Sequence, residues 1–383
     1  MLLSQMASYR WKTKLKTFKK TFSVIPDKAQ VSEIRYISTQ MDTTLVKTDE
    51  KVKNDLRFDS YPAPLEQVTA YARKYSQTVD VKGHHFTQLV VSFLLKWAQS
   101  LSWKTAYRAG TGIGHLLYRL RLRRDVAMTN LDIVYGETKP RSEKERIYKE
   151  SLLNLGRIIV NYLRLPYMGP DFWQNNWDWK NEEIVKDAYN RKKGVILVSG
   201  HIGMMELVGG KFGMCGYPIG VVGKEIRNPA INKLVLDSRR AMNVSAINYK
   251  NSAIRILRGI KNGEAIGMAV DQNMKANVGA FIDWMGRPAL SVKAPAMIVR
   301  RTGATVIAGY SYQKAIDRFE LVITEEVPWE ACPEDPEKEI FINNQNQADA
   351  VQRIIYANPE LWFWIHRRWK NQPEGMSSPY KQT

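Results

Sequence analysis

A histidine and a carboxylate close one apolar run, Val195-Ile-Leu-Val-Ser-Gly-His201-Ile-Gly-Met-Met-Glu206. Imidazole has an unperturbed pKa of about 6.5, close to physiological pH, so it can act as a general base. A nearby carboxylate can fix its tautomer and stabilise the imidazolium that forms. His201 and Glu206 are therefore the candidate catalytic pair, with Glu206 expected to orient the ring. Five residues of α-helix turn through about 500°, which leaves the two side chains about 140° apart around the axis. His201 is thus expected in a strand-to-helix turn loosened by Gly200 and Gly203, and Glu206 in the first turns of the helix that follows. No G-x-S-x-G element accompanies them. Ser199 lacks any oxyanion or third-group signature, so the base is expected to act on a hydroxyl of the substrate itself.

The elements that must hold this pair alternate after about residue 193. Short apolar strands at 195–198, 219–222, 265–270, 305–308 and 319–323 interleave with helical stretches at 204–212, 229–242, 252–261 and 292–301. Such alternation predicts an α/β fold, a mixed and largely parallel sheet flanked by helices. Ligands of these sheets bind beyond the carboxyl ends of the strands. His201 and Asp271, the latter in Met268-Ala-Val-Asp271-Gln272, are both predicted on that rim. Arg239 and Arg240, late in the 229–242 helix, read either as cations favoured at a helix C-terminus or as a phosphate clamp.

The domain organisation expected is an extension over 1–83, partly disordered or at a membrane surface, and a domain over 84–383. The latter divides into a helical, membrane-proximal part (84–165) and the α/β part (193–383). A net charge of +19 favours anionic partners: lipid headgroups, an acidic protein or nucleic acid. Nucleic acid has no supporting motif. Basic residues crowd Arg10–Lys20 without an apolar stretch after them, and no segment has the roughly 18–20 apolar residues of a spanning helix. Phe86–Trp97 has the length of an interfacial or core helix. Trp103–Arg124 holds no acid but carries Lys104, Arg108, Arg119, Arg121, Arg123 and Arg124, a composition that reads as membrane-surface binding. Two cysteines make no disulfide framework, and no Cys/His cluster has metal-ligand spacing, so no metal is expected.

Taken in order, Ser199-Gly-His201…Glu206, Asp271-Gln272 and Pro359-Glu-x-x-x-Trp364-x-His366-Arg367-Arg368 resemble motifs of the bacterial lipid A biosynthesis acyltransferases. The run Ser151–Arg157 and Asn228-Pro229 match as well, so the resemblance spans about 88 to about 380. It implies an acyltransferase at the cytoplasmic face of the inner membrane, peripheral or monotopic. Acyl carrier protein would supply the acyl chain as a thioester co-substrate, with no other cofactor, and a lipid A precursor would accept it on a hydroxyl. His201 and Glu206 fall at the catalytic pair, and Arg239 and Asp271 at functional positions. Substrate-binding roles extend to Lys224, Arg240 and Gln272. Lys224 stands where many relatives have arginine, and Met204-Met205 replaces a polar-aromatic pair, which bears on acceptor and chain-length preference. Two alternatives stay open: acylation of another membrane glycolipid such as a phosphatidylinositol mannoside, and a non-catalytic basic membrane-binding protein.

Overall fold

The computed structural model describes residues 58, 60–75, 81, 83–249, 252–276 and 279–381. The basic run Arg10–Lys20 lies outside them. Part of the segment expected as an extension is a helix, α1 (Leu65–Tyr75), with Val68, Tyr71 and Ala72 buried. Tyr71 donates its hydroxyl to Glu264, which is fully buried and held by both terminal nitrogens of Arg255.

Helices α2 (His85–Ser100), α3 (Trp103–Arg119), α4 (Arg124–Tyr135) and α5 (Arg141–Tyr162) follow. Ser102 caps α3 by accepting the Thr105 N–H at 3.2 Å. Helices α3 and α5 cross through glycines: a Cβ on Gly156 would lie 2.1 Å from the Gly110 carbonyl oxygen. This close approach fixes α5 against α3, and α5 walls the cleft described below.

A seven-stranded sheet has the order β1-β9-β8-β2-β5-β3-β4. Its strands are β1 (Trp177–Lys180), β2 (Val195–Ser199), β3 (Ile219–Gly223), β4 (Val244–Asn248), β5 (Ala265–Ala269), β8 (Thr305–Gln313) and β9 (Phe319–Glu326). Every neighbouring pair is parallel except β8 with β9. All residues of β2 are buried, as befits a strand covered by helices on both faces. Its alternate residues enter two cores: Ile196 and Val198 meet α4, α5 and the later helices α10 (Ala253–Lys261), α11 (Ala294–Thr302) and α12 (Pro336–Ala357). Val195 and Leu197 join the opposite core with α6 (Pro170–Asn175), α7 (Glu182–Asn190) and α8 (Met205–Met214).

The predicted strands recur, with β8 and β9 extended, and the predicted helices recur within a few residues. Helix α9 (Pro229–Ala241) starts where Asn228 accepts the Ala230 and Ile231 N–H groups and Pro229 occupies the first turn. The sequence reading did not include β1, β4, α12 or the antiparallel hairpin β6 (Gly279–Trp284) and β7 (Arg287–Val292).

Candidate active site

Strand register builds the site. Strands β2 and β5 pair in parallel with Val195 opposite Ala265 and Ser199 opposite Ala269. Carried two residues past both strands, the same register sets His201 beside Asp271. The contact is made twice: the His201 N–H donates to Asp271 Oδ2 at 2.8 Å, and His201 Nδ1 lies 2.8 Å from Oδ1. An ionised carboxylate only accepts hydrogen bonds, so Nδ1 carries the proton and Nε2 the lone pair. The amide nitrogen of Gln272 lies 2.9 Å from that Nε2 and donates to it. Asp271 is buried and accepts a third bond, from the Trp362 indole N–H at 2.8 Å.

Glu206 does not fill the place expected for it. It sits in the first turn of α8, as its spacing implied, but both its oxygens take donors from Arg239, Oε2 from Nε at 3.0 Å and Oε1 from Nη2 at 2.8 Å. The group that orients the imidazole is Asp271. The reason is geometric: Glu206, in the first turn of the helix, is held on both oxygens by Arg239, while the adjacent strand end delivers Asp271 in register with His201. Arg239 is likewise committed to Glu206 and is no free phosphate clamp. Its guanidinium lies under Gly223 at the end of β3, where a Cβ would come within 3.2 Å of Nη1.

The pKa directions follow from these contacts. Burial works against the His201 imidazolium, but the Asp271 charge and hydrogen bond, with a smaller contribution from Glu206, outweigh it and raise the pKa above 6.5. Burial disfavours the Asp271 carboxylate too, yet His201 and the Trp362 and backbone donors hold it well below the usual range. Glu206 is lowered because Arg239 overcomes its desolvation.

The turn between β2 and α8 leaves little freedom. Gly203 has φ +52°, and a Cβ there would meet the Ser311 carbonyl at 2.2 Å. The Gly203 N–H donates to Leu361 O, and the Met204 N–H to Ser311 O. Both groups are occupied, so neither is available as an oxyanion donor. The N–H groups of Met205 and Glu206, in the first turn of α8, have no intrahelical acceptor and find none among the described residues.

His201 faces an open cleft. One wall is the α5 stripe Ser151, Leu155, Ile158 and Tyr162, spaced four, three and four residues apart along one helix face. The start of α8 supplies Met204, Met205 and Leu207, and the C-terminal segment supplies Leu361, Trp362 and Phe363. Apart from His201 and Glu206 the lining is mostly apolar, a shape and chemistry suited to a hydrocarbon chain.

The other candidates are scattered. Lys224 is exposed after β3, and Arg240 pairs with Asp237 at 3.0 Å. Ser199 is buried and does not line the cleft. Of the C-terminal motif, Arg368 is fully buried over the Trp284 ring and donates to Leu290 O and Gln272 O, so it supports the Asp271–Gln272 segment. His366 accepts the Asn273 N–H, and burial pushes its pKa down to about 4. Trp362, at an unspecified position within that motif, donates its indole N–H to the Asp271 carboxylate. Its neighbours Leu361 and Phe363 bond the backbone on both sides of Ile202, a long-range contact that nothing in the local sequence marks.

The family described as bacterial lipid A biosynthesis acyltransferase matches residues 73–371. A lipid A biosynthesis lauroyltransferase of Escherichia coli K12 is 26% identical over 285 residues, 73% of this chain and 90% of that protein. A lipid A biosynthesis palmitoleoyltransferase of the same organism is 26% identical over 316 residues, 80% of this chain and 98% of that protein. A second lipid A biosynthesis acyltransferase of Shigella flexneri is 20% identical over 273 residues, 71% and 85% of the two chains.

Proposed function

The chain belongs to the bacterial lipid A biosynthesis acyltransferases, and from that premise we propose that it moves a fatty acyl chain from an acyl carrier protein thioester to a hydroxyl of a lipid A precursor. It is an acyltransferase, and the family supports acyl transfer onto lipid A. The observation that carries the mechanism is the His201–Asp271 pair opening onto an apolar cleft.

In this mechanism the acceptor hydroxyl takes the position of the Gln272 amide and donates to His201 Nε2. As the imidazole removes the proton, the oxygen attacks the thioester carbonyl carbon. Asp271 holds the Nδ1–H and stabilises the imidazolium. The carbonyl oxygen gains negative charge and is received by the free Met205 and Glu206 N–H groups at the positive end of α8. The C–S bond then breaks, the ester forms, and the imidazolium returns its proton to the departing sulfur. General base catalysis supplies about 10²–10⁴-fold; positioning by the cleft and the α8 donors supplies the remainder. The Glu206 carboxylate, held by Arg239, adds a small contribution that favours the imidazolium.

The same reading places the enzyme on the anionic face of a membrane. No helix among the described residues is long and apolar enough to cross one. Helix α2 instead exposes Phe86, Leu89 and Phe93 at 80%, 70% and 66%, and α3 exposes Lys104, Arg108 and Arg119 beside Leu116. An apolar helix face next to basic residues suits insertion into one leaflet with cations at the headgroups.

The test is turnover of acyl carrier protein thioester with a lipid A precursor, read by mass spectrometry of the lipid. Wild type should yield the acylated lipid, and His201→Ala should nearly abolish it while melting like wild type. Wild-type turnover by the variant refutes the base assignment. A panel including a phosphatidylinositol mannoside tests the acceptor class.

A further inference from the structure

The indole of Trp362 is the only side chain other than His201 that hydrogen-bonds Asp271 among the described residues. It donates to Oδ2, the oxygen turned from the imidazole nitrogen, and leaves Oδ1 for Nδ1. The indole is itself immobilised. Trp362 is 2% exposed, Trp364 crosses it edge-on with centroids 4.7 Å apart, and Trp284 and Trp369 lie 6.2 and 6.5 Å away. Its backbone is fixed to the catalytic turn as well: the Gly203 N–H donates to Leu361 O, and the Phe363 N–H donates to His201 O. One short segment thus grips both members of the pair, the histidine through main chain and the aspartate through a side chain.

We propose that Trp362 is a positioning residue for acyl transfer, whose N–H fixes the Asp271 carboxylate so that Oδ1 holds the Nδ1–H of His201 and Nε2 keeps its lone pair toward the acceptor. The inference rests on the base reading of His201 given above. It follows from what a carboxylate does when one oxygen loses one of its two donors. An Asp side chain turns about two torsions, and with only the His201 N–H left on Oδ2 the carboxylate is held less firmly and can rotate. A carboxylate free to rotate no longer presents Oδ1 squarely to the ring, so the geometry at Nδ1 loosens and Nε2 loses its aim. The N–H also draws part of the carboxylate charge away from the ring. Without it, the full charge acts on the imidazolium, which then deprotonates at higher pH. Trp362 therefore sets both the direction and the strength of the base.

The experiment uses the full chain with acyl carrier protein thioester and lipid A precursor, comparing wild type, Trp362→Phe and His201→Ala. A fourth protein carries benzothienylalanine at position 362, which keeps the ring shape and places sulfur where the N–H stands, in case phenylalanine leaves the site underfilled. Loss of such a supporting hydrogen bond is expected to lower kcat about 10–100-fold with KM for the thioester near wild type. The acid limb of the kcat/KM profile should move to higher pH, and ¹⁵N-histidine NMR should show His201 titrating higher by the same shift. A folded variant with wild-type kcat and profile overturns the proposal, as does lower kcat with an unmoved acid limb, which marks a purely structural tryptophan. If His201→Ala keeps its turnover, the base reading itself has failed. If that variant is inactive while both position-362 proteins behave as wild type, only the role of Trp362 has.

Discussion

Replacing Asp271 with asparagine separates two effects that the carboxylate combines. Asp271 faces three donors, the His201 N–H, the His201 Nδ1–H and the Trp362 N–H, all at 2.8 Å. Asparagine offers one carbonyl oxygen and one NH₂. If the oxygen takes Oδ2, serving the two donors there, the NH₂ faces Nδ1. It can only donate, so the ring must adopt the Nε2–H tautomer, and the nitrogen that should accept the hydroxyl proton now carries one. The same change in a serine-protease triad costs about 10⁴-fold through the wrong tautomer, about 5.5 kcal/mol of transition-state stabilisation. A loss of that order is expected in kcat. The pH profile adds a second reading. In wild type the base is active only when neutral, so kcat/KM rises with pH as His201 deprotonates, around a pKa raised above 6.5. In Asp271→Asn the carboxylate contribution disappears while burial, which lowers the pKa, stays. The acid limb of the residual activity should move to lower pH. Initial rates of acyl transfer at stepped pH measure both quantities. Activity within tenfold of wild type, or an acid limb that stays in place, refutes the argument that Asp271 orients and charges the imidazole.

Two further outcomes follow from the structure. Glu206→Gln should leave the tautomer of His201 intact, because Asp271 still holds Nδ1, but should strand Arg239, whose side chain is 9% exposed. Breaking a buried ion pair on one side costs about 3–5 kcal/mol; with Glu206 26% exposed the lower end applies, and a thermal melt should fall by several degrees. An unchanged melting temperature removes the pair from the stabilising contacts. Combined Phe86→Ser, Leu89→Ser and Phe93→Ser should keep the melt of wild type, since all three are exposed, yet lose co-sedimentation with phosphatidylglycerol vesicles, as each apolar side chain inserted is worth about 1.5–3 kcal/mol. Undiminished sedimentation of that variant rules out α2 as the membrane contact.

The parts of this fold legible in the sequence are those governed by local pattern. Strands β2, β3 and β5 are uninterrupted apolar runs ended by glycine or a charged rim residue, so the parallel sheet and its rim could be placed. The elements missed hide their pattern. The β6–β7 hairpin turns on Met285-Gly286, both at positive φ, and methionine gives no sign of that turn where Asn or Asp would. Helix α12 buries Asn343, Asn344, Gln347 and Gln352, which blurs its apolar stripe. Two amides of the helix bond the hairpin: Gln345 and Gln352 accept the Asp283 and Met285 N–H groups. The partner of His201 was out of reach for a different reason. Asp271 is 70 residues away, and what joins the two is the register of adjacent strands, a property of pairing that no spacing along the chain displays.

That register explains why the site holds two carboxylates with separate work. Asp271 arrives on a strand end, buried, with three donors directed at its two oxygens; it can hold a ring but has no freedom to meet a substrate. Glu206 arrives on the first turn of a helix, at the edge of the cleft, where the α8 N-terminus and Arg239 both favour its negative charge. A pair of opposite charges beside the ring costs little in net field, yet it fixes the start of α8 against α9. The Met205 and Glu206 N–H groups, proposed above as the oxyanion donors, belong to that same turn. Holding Glu206 to Arg239 therefore holds the oxyanion donors, so the five-residue spacing links the base to its electrostatic counterpart rather than to its orienting acid. Glu206→Gln should accordingly lower kcat with little movement of the acid limb, the opposite signature to Asp271→Asn. A matching shift of both variants would return Glu206 to the role of orienting the imidazole.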